Sequence, residues 1–482
     1  MSAELLDSLQ AIFPEIMVLI LIGLVLLFDA LWTEEQRRNL GWLTFGGILL
    51  IMAATLAVVH PTQQGTLYWG RMVSLDWTGL LFKMLILFGA AITVLLGMDV
   101  ENLGKKGEFY TLMLVSVIGM MLMASAYDLV MLFLAIETTS IPLYILAGFM
   151  HGDDKSTESG FKYLFFGALT SAIMLYGFSI LFGIVGSTNL YDLSMAMQFK
   201  NMSPALLLGT FLLILVGFSF KISVVPLHFW APDVYEGAPT PVAGYLSTAS
   251  KAAGFAVLMR VVYTLYSQVG FNWALLISVI AVFSMTLGNF LALTQKNIKR
   301  LLAYSSIAHA GYILIGFVAV SQLGITSIVF YLGAYLLTNL AAFGAVTIFS
   351  RIVGSDEISA YAGLSRRAPV LAFAMLVSFL SLAGMPPLGG FVAKIWVFAA
   401  ALKEGILWLV VIGVLNSIVG LYYYLRVLNV IYHHRSDTEN QPLPISTPNA
   451  IALIVLSIGI VLVGVFFAPF FNWSVLAASG WF

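Results

Sequence analysis

Apolar segments of about 20 residues recur along the whole chain, and this feature constrains the fold more than any other. A helix of about 20 residues crosses the hydrocarbon core of a bilayer. Transmembrane β-strands would be about ten residues long and would alternate in polarity, and the sequence shows no such alternation. Only 9% of the 482 residues are charged, against about 25% in soluble domains. The sequence therefore predicts an all-α polytopic membrane protein.

Fourteen apolar segments are long enough to be transmembrane helices. The connections between them are short, the longest being 186–204, 351–368 and 433–449, so no extramembrane domain is expected. The predicted spans are 12–31, 41–60, 77–98, 109–127, 129–149, 161–185, 205–231, 238–265, 272–294, 301–320, 325–350, 369–402, 406–432 and 450–471.

The composition argues against several function classes. Cysteine is absent, which excludes disulfides, thiolate metal sites, cysteine-bound iron–sulfur clusters and cysteine nucleophiles. The net charge is −1 without a basic block, so nucleic-acid binding is not expected. The sequence has no glycine-rich phosphate loop after a strand and no metal-ligand spacing of His, Asp or Glu. We therefore expect no cofactor, metal or nucleotide in this chain, and the acidic N-terminus does not indicate a signal peptide.

The distribution of Lys and Arg over the connections predicts the orientation. Short cytoplasmic loops carry an excess of these residues. If the N-terminus lies outside, twelve fall in inside loops and only three in outside loops, namely Arg71, Lys200 and Lys403. Both termini are therefore expected on the outer side of the membrane. The twelve inside residues are Arg37, Arg38, Lys105, Lys106, Lys155, Lys296, Lys299, Arg300, Arg351, Arg366, Arg367 and Arg435.

Four charged residues lie near the middle of predicted spans: Glu137, Lys221, Lys251 and Lys394. A charge at the bilayer centre costs about 2.5–3.5 kcal/mol on insertion scales, and such residues usually mark an ion path. A structural ion pair or a snorkelling lysine is the alternative for each of them. Four together favour the ion path.

Three further charges are expected to have no part in such a path. Lys83 lies nearer a span end, so we expect its side chain to snorkel to water. Asp29 and Arg260 are also close to span ends and are expected to be structural.

Two of the four central charges stand beside helix breakers. Lys221 is followed by Pro226, and Lys394 is preceded by the glycine- and proline-rich run from Gly384 to Gly390. Proline removes a helical hydrogen bond, and a broken membrane helix with a charge beside it is typical of transporter ion sites. Both helices are therefore predicted to be interrupted.

Spacing between polar residues indicates an internal repeat. Glu137 precedes Lys221 by 84 positions and His309 precedes Lys394 by 85. Segments 109–265 and 272–432 are then two units of five spans each, preceded by three helices in 1–108 and followed by one in 433–482. Because five is odd, the second unit is expected to be inverted in the membrane.

Histidine titrates readily near neutral pH, which adds His309 to the four central charges as a candidate proton carrier. His228 lies beside the break after Lys221 and is either a further carrier or a hydrogen-bonded structural residue. Side chains of this kind relay protons through water and hydrogen bonds. Three lysines repel cations, so a metal site is not expected among them.

Three motifs resemble a known family, the antiporter-like subunits of respiratory complex I and of multi-subunit sodium/proton antiporters. The resemblance covers the whole chain. Within the family, PDVYEGAP followed by STASK, and Lys394 where a related subunit has Glu, are typical of one subunit type of bacterial complex I. The motifs are KISVVPLHFWAPDVYEGAPTPVAGYLSTASK (221–251), QKNIKRLLAYSSIAHAGY (295–312) and SLAGMPPLGGFVAK (381–394).

The resemblance implies a proton-translocating subunit in the bacterial inner membrane, with NADH and quinone bound by other subunits and no redox chemistry in this chain. By position, Glu137 and Lys221 resemble the family's gating pair, Lys251 its central lysine and Lys394 its exit residue. His309 and His228 match polar positions with less defined roles. A cation/proton antiporter subunit is the alternative function, and a purely structural scaffold would not need lysines at mid-membrane.

Overall fold

A computed structural model describes residues 8–62, 65–199, 203–266, 272–436 and 441–481. Within these ranges, twelve helices are long and apolar enough to cross a membrane. The all-α membrane architecture is therefore confirmed. The helices in residues 8–199 are α1 Phe13–Leu31, α2 Leu40–Val58, α3 Trp77–Gly97, α4 Gly107–Ser125, α5 Leu129–Ala147, α6 Asp154–Val185 and the short α7 Leu190–Phe199.

The remaining helices include two predicted spans that are built from pieces. Segment 238–265 combines α-helical and π-helical turns, and segment 369–402 is two short helices. The count of fourteen requires each of these composites to cross, and it stays a prediction. The helices are α8 Pro204–Ile222, α9 Trp230–Gly237, α10 Thr240–Tyr245, α11 Lys251–Val261, α12 Trp273–Leu293, α13 Ile298–Val318, α14 Gln322–Val353, α15 Leu364–Arg367, α16 Pro369–Ala383, α17 Gly389–Lys403, α18 Leu407–His433, α19 Thr447–Val465 and α20 Phe467–Ala478, with π-helical turns at Leu246–Ser250 and Val262–Tyr266 and 3₁₀ turns at Gln36–Asn39 and Ile358–Tyr361.

Burial separates central from peripheral helices. Helices α13 and α14 are almost wholly buried, whereas only about a third or less of α1, α2 and α6 is buried. In a bilayer the exposed apolar faces meet lipid or neighbouring subunits. The centre of the bundle is therefore the part of the described chain where polar side chains are shielded from lipid.

Contacts between the connections fall into two sets that match the two predicted sides. On the predicted inner side, Arg38 and Arg351 each lie 3.7 Å from a carboxylate oxygen of Asp99. On the predicted outer side, Arg71 pairs with Asp192 at 3.0 Å, beside an antiparallel hairpin of β1 (Thr66–Tyr68) and β2 (Val73–Leu75). These contacts support alternate crossing of the membrane by successive spans.

Residues near both ends of the described chain contact residues on the predicted outer side of the bundle. The Trp69 indole donates to the Ser8 carbonyl at 2.8 Å, and the Thr78 hydroxyl donates to the Ala477 carbonyl at 2.6 Å. Both ends of the described chain therefore lie at the same face of the bundle.

Several local structures recur at a constant spacing in the two predicted units. Asp128 caps α5 and Asn297 caps α13, and each side chain accepts two backbone N–H groups of the first turn. The spacing between these caps is 169 residues. Helices α6 and α14 each have 32 residues and each ends at a left-handed glycine, with a spacing of 168. These landmarks support an internal repeat.

The structural spacing corrects the register of the repeat. A shift of 169 places Glu137 opposite Ser306 and Ser140 opposite His309. The sequence comparison paired Glu137 with His309, a shift of 172, and it was wrong by about one helical turn because it aligned polar residues that are not equivalent.

We expect the two units to superpose after a rotation about an axis in the membrane plane, with Asp128 on Asn297. The pairing of Lys221 with Lys394 that the sequence spacing suggests is not kept, because Lys221 precedes the first break whereas Lys394 follows the second. An experimental structure of the assembled complex would measure the superposition directly. If the best superposition of the two units leaves Asp128 and Asn297 far apart, the proposed internal repeat is wrong.

Candidate functional site

Both predicted helix interruptions are confirmed. Residues 223–229 separate α8 from α9, and residues 384–388 separate α16 from α17. Ser223 ends α8 at φ 59°, and Gly384 ends α16 at φ 84°. At Gly384 a Cβ atom would also lie 2.9 Å from Lys394 Cδ, so both the backbone and the lysine require glycine there.

Lys221 lies in the last turn of α8, and its side chain is only 6% exposed. Its Nζ donates to the Ser140 hydroxyl on α5 at 2.7 Å. Within the described ranges no ion pair at or below 4.0 Å joins Lys221 to Glu137, and the gating pair stays a prediction. Glu137 is three positions before Ser140 on the same helix face, so the ammonium lies about one turn away.

Glu137 nevertheless belongs to the same region. Its Oε1 is buried without a hydrogen-bond partner in the described part of the chain. A buried carboxylate oxygen usually has a partner, in the protein or in water. The arrangement therefore leaves Glu137 able to take a new partner.

Lys251 is 1% exposed and stands where the π-helical segment Leu246–Ser250 meets α11. Its Nζ donates to the carbonyl oxygen and to the hydroxyl of Ser306 on α13, at 2.7 and 2.6 Å. π-Helical turns often occur at functional sites. Lys251 therefore joins the first unit to the second.

The helix of Lys251 also packs directly on Lys221. Gly254 is one turn after Lys251, and a Cβ atom there would lie 2.8 Å from Ile222 Cγ2 and 3.4 Å from Lys221 Cγ. The absence of a side chain at this position allows the two lysine-bearing helices to approach closely.

His309 is buried three positions after Ser306 on α13. Its Nδ1 lies 2.7 Å from the Tyr331 hydroxyl, and its Nε2 lies 3.3 Å from the Tyr424 hydroxyl. The Tyr424 hydroxyl in turn hydrogen-bonds Ser305. Each ring nitrogen thus has a hydroxyl that can either donate or accept a proton.

Lys394 lies on α17 but reaches back across the break. Its Nζ donates to the carbonyl oxygens of Leu382 and Ala383 at 3.1 and 3.0 Å, where the C-terminal end of α16 carries negative partial charge. The Nζ also lies 5.0 Å from the centre of the Tyr312 ring. An ammonium is therefore stabilised here without a carboxylate.

His228 lies within the first break, and its Nδ1 is buried without a hydrogen-bond partner among the described residues. No hydrogen bond joins it to the four central charges in the ranges that the structure describes. Its role as a relay member stays a prediction.

The charges expected to be structural have definite partners. Arg260 is fully buried, and its guanidinium forms two hydrogen bonds to Asp76 at 2.7 and 2.8 Å. Asp29 pairs with Arg37 at 3.3 Å. The expected snorkelling of Lys83 is wrong.

Lys83 is 4% exposed, and its Nζ lies 2.7 Å from a carboxylate oxygen of Glu15 on α1. It also donates to the Ala11 carbonyl at 2.9 Å. A nearby acid on another helix removes the need to reach water, and hydropathy alone does not reveal such a partner.

A charged cluster covers the predicted inner end of the broken helix. Glu236 accepts from Lys155 at 2.8 Å and from Arg300 at 2.9 Å, and Arg300 also donates to Asp233 at 2.7 Å. Burial opposes ionisation of Glu236, but the hydrogen bonds from Lys155 and Arg300 outweigh it and hold the pKa of its carboxyl below the usual value. Arg300 begins the helix of His309, so this cluster ties the first break to the second unit.

Sequence reasoning missed the uncharged members of the site. Ser140, Ser306, Tyr331 and Tyr312 carry no sequence signal, because serine and tyrosine also occur as ordinary residues of buried membrane helices. Tyr424 also carries no charge to mark it in the sequence, and the structure places its hydroxyl against His309.

Comparison with known proteins agrees with this arrangement. The family model described as "NADH:quinone oxidoreductase/Mrp antiporter, TM" matches residues 126–420, which contain both breaks and all the central charges. The chain belongs to this family of membrane subunits.

Individual relatives indicate which type of subunit this chain resembles. NADH-quinone oxidoreductase subunit N of Moorella thermoacetica is 42% identical over 93% of this chain and 94% of its own length. Subunit N is the type that PDVYEGAP and STASK predict, so that prediction is confirmed. A chain of respiratory complex I from Thermus thermophilus is 30% identical, covers 95% of this chain and 98% of its own length, and superposes with a TM-score of 0.78.

A chain of the Mrp complex from Dietzia sp. DQ12-45-1b has the same fold. The TM-score is 0.86 at 20% identity, over 98% of this chain and 97% of that chain. This likeness shows that the fold is shared by both branches of the family.

Proposed function

We propose that this chain is a proton-translocating membrane-arm subunit of NADH:quinone oxidoreductase. One observation carries the proposal: three buried lysines, Lys221, Lys251 and Lys394, contact hydroxyls, carbonyls or a ring, and none of the ion pairs within 4.0 Å in the described ranges includes them. A structural role favours a fixed counter-charge. Lysines held by neutral partners suit gain and loss of a proton.

We infer an order of proton transfer that these contacts support. A proton enters from the inner side at Lys221, whose Nζ is held by Ser140, and passes to Lys251 on the helix packed against it. From Lys251 the path continues through the Ser306 hydroxyl to His309 and its two tyrosine hydroxyls. Lys394 releases the proton on the outer side.

Glu137 acts as the gate. While its carboxylate is near Lys221 it stabilises the ammonium, and when it moves away the proton is released toward Lys251. The driving force comes from quinone reduction elsewhere in the complex, transmitted by neighbouring membrane-arm subunits. This chain then takes part in an enzyme, a translocase, without binding a cofactor or a metal, and quinone and NADH are held by other subunits.

A subunit of a cation/proton antiporter is the second candidate, because the Mrp chain shares the fold. Purification of the native complex through a tag on this chain distinguishes the two. Flavin and iron–sulfur subunits in the complex, with proton uptake into vesicles driven by NADH, support the first function. Small antiporter subunits and sodium-dependent proton exchange would replace it by the second.

We also propose that the chain lies in the bacterial inner membrane with both termini on the periplasmic side. The chain has no cysteine, so a single introduced cysteine is its only thiol. With Lys403→Cys, an impermeant maleimide added to intact cells is expected to label this subunit. With Lys105→Cys, labelling is expected only after the membrane is opened. Both residues are exposed, and the reverse pattern would invert the proposed orientation.

A further inference from the structure

The ring of Tyr312 contacts both the histidine and the exit lysine of the proposed path. Its centre lies 5.0 Å from Lys394 Nζ and 5.7 Å from the centre of the His309 ring, which it meets edge to face. Tyr312 is 2% exposed. Within the described ranges no hydrogen bond joins His309 to Lys394, and the Tyr312 ring contacts both.

Neighbouring polar groups fix the position of this ring. The Asn289 amide on α12 donates to the Tyr312 hydroxyl at 3.0 Å and to the Asn416 carbonyl on α18 at 3.1 Å. The Tyr423 hydroxyl, also on α18, donates to Asn289 Oδ1 at 3.1 Å. Helices α12 and α18 therefore hold the Tyr312 hydroxyl, while its ring face is left to Lys394.

The contact between Lys394 and the ring depends on the charge of the lysine. The negative face of an aromatic ring attracts an ammonium, and a neutral amine loses this attraction. The two other contacts of Lys394 Nζ, the carbonyl oxygens at the end of α16, also favour the ammonium. Release of the proton therefore weakens all three contacts together.

We propose that Tyr312 is a charge-sensitive valve between His309 and Lys394; this inference rests on the proposed proton path. Protonated Lys394 is bound to the ring, which closes the route back to His309. After Lys394 has released its proton to the outer side, the neutral amine leaves the ring and the route from His309 opens. Tyr312 carries no proton itself and acts as a positioning residue that makes the transfer one-way.

The test uses the assembled complex in vesicles and measures two quantities: proton uptake per electron, and passive proton leak under an imposed membrane potential. Tyr312→Phe keeps the ring and is expected to leave the leak within about twofold of the native value. Tyr312→Met fills the space without a ring, and the leak is expected to rise about 2- to 30-fold, the range that a lost cation–π contact corresponds to. An unchanged leak in an assembled Tyr312→Met complex would overturn the valve.

A series of fluorinated phenylalanines at position 312 covers the case in which Tyr312→Met fails to assemble. Added fluorine weakens the negative ring face with little change of size, so the leak is expected to rise stepwise with fluorine number. A flat series would contradict the inference.

Lys394→Met separates failure of the valve from failure of the path. If Lys394→Met leaves proton uptake unchanged, the path itself is wrong. If Lys394→Met lowers uptake while the fluorinated series is flat, the path stands and only the valve fails. In the double variant Tyr312→Met with Lys394→Met the added leak is expected to disappear, because it passes through Lys394.

Discussion

Lys251→Met is expected to abolish the contribution of this chain to proton uptake while the complex still assembles. Lys251 is the buried cation that joins the two units, through its two hydrogen bonds to Ser306. Methionine has a similar length and is itself apolar, so the buried site loses a charge and Ser306 loses a donor, but no new polar group is buried. Removal of a positioned proton-transfer group typically costs about 10²- to 10⁴-fold in rate.

Proton uptake per electron in vesicles that contain the purified complex measures this effect. NADH oxidation by a soluble acceptor that bypasses the membrane arm should stay normal. The matched control is Lys83→Met combined with Glu15→Gln, which removes a buried lysine and its acid partner away from the path. Full proton uptake in an assembled Lys251→Met complex would exclude Lys251 as a carrier.

Glu137→Gln is expected to impair pumping strongly and to leave assembly intact. Glutamine keeps the volume and the hydrogen-bonding capacity of Glu137 but removes its negative charge, about one helical turn from the Ser140 hydroxyl that holds Lys221. At an effective dielectric constant of about 20, two charges about one helical turn apart (~5.4 Å) interact by about 3 kcal/mol, which corresponds to an effect on the order of 10²-fold. Thr139→Val, which changes a neighbouring buried hydroxyl bonded to Ala135, is the matched control and should pump normally.

The double variant Glu137→Gln with Lys221→Met distinguishes a gate from a structural counter-charge. If Glu137 only neutralises Lys221 for folding, a neutral pair should restore both assembly and pumping. If Lys221 carries protons, assembly is restored without pumping. Normal proton uptake per electron in the double variant would therefore show that Lys221 is not a proton carrier.

Apolar length and helix breakers made most of the fold predictable. The twelve long helices follow the predicted spans within a few residues, except at the start of α6 and at the ends of α8 and α19. Pro226 and the Gly384–Gly390 run mark the two interruptions. These features depend on local properties of the chain, hydropathy and backbone conformation, which the sequence displays directly.

The partners of the buried charges were not predictable in the same way. Hydropathy places a residue along the membrane normal but does not say which helix lies beside it, so the Glu15 partner of Lys83 and the Ser140 partner of Lys221 were missed. The repeat register failed for a related reason. Glu137 and His309 are chemically alike as proton carriers, yet the helix caps show that they are not at equivalent positions.

The pair of Arg260 with Asp76 has a consequence for shortened versions of this chain. Asp76 caps α3, in the three-helix N-terminal segment, whereas Arg260 follows Lys251 on α11 in the first unit. A chain that lost its first three helices would keep a fully buried guanidinium without its acid, at a cost of about 3–5 kcal/mol. Loss of that segment during evolution is therefore compatible with a stable first unit only if position 260 becomes neutral or another subunit supplies a carboxylate.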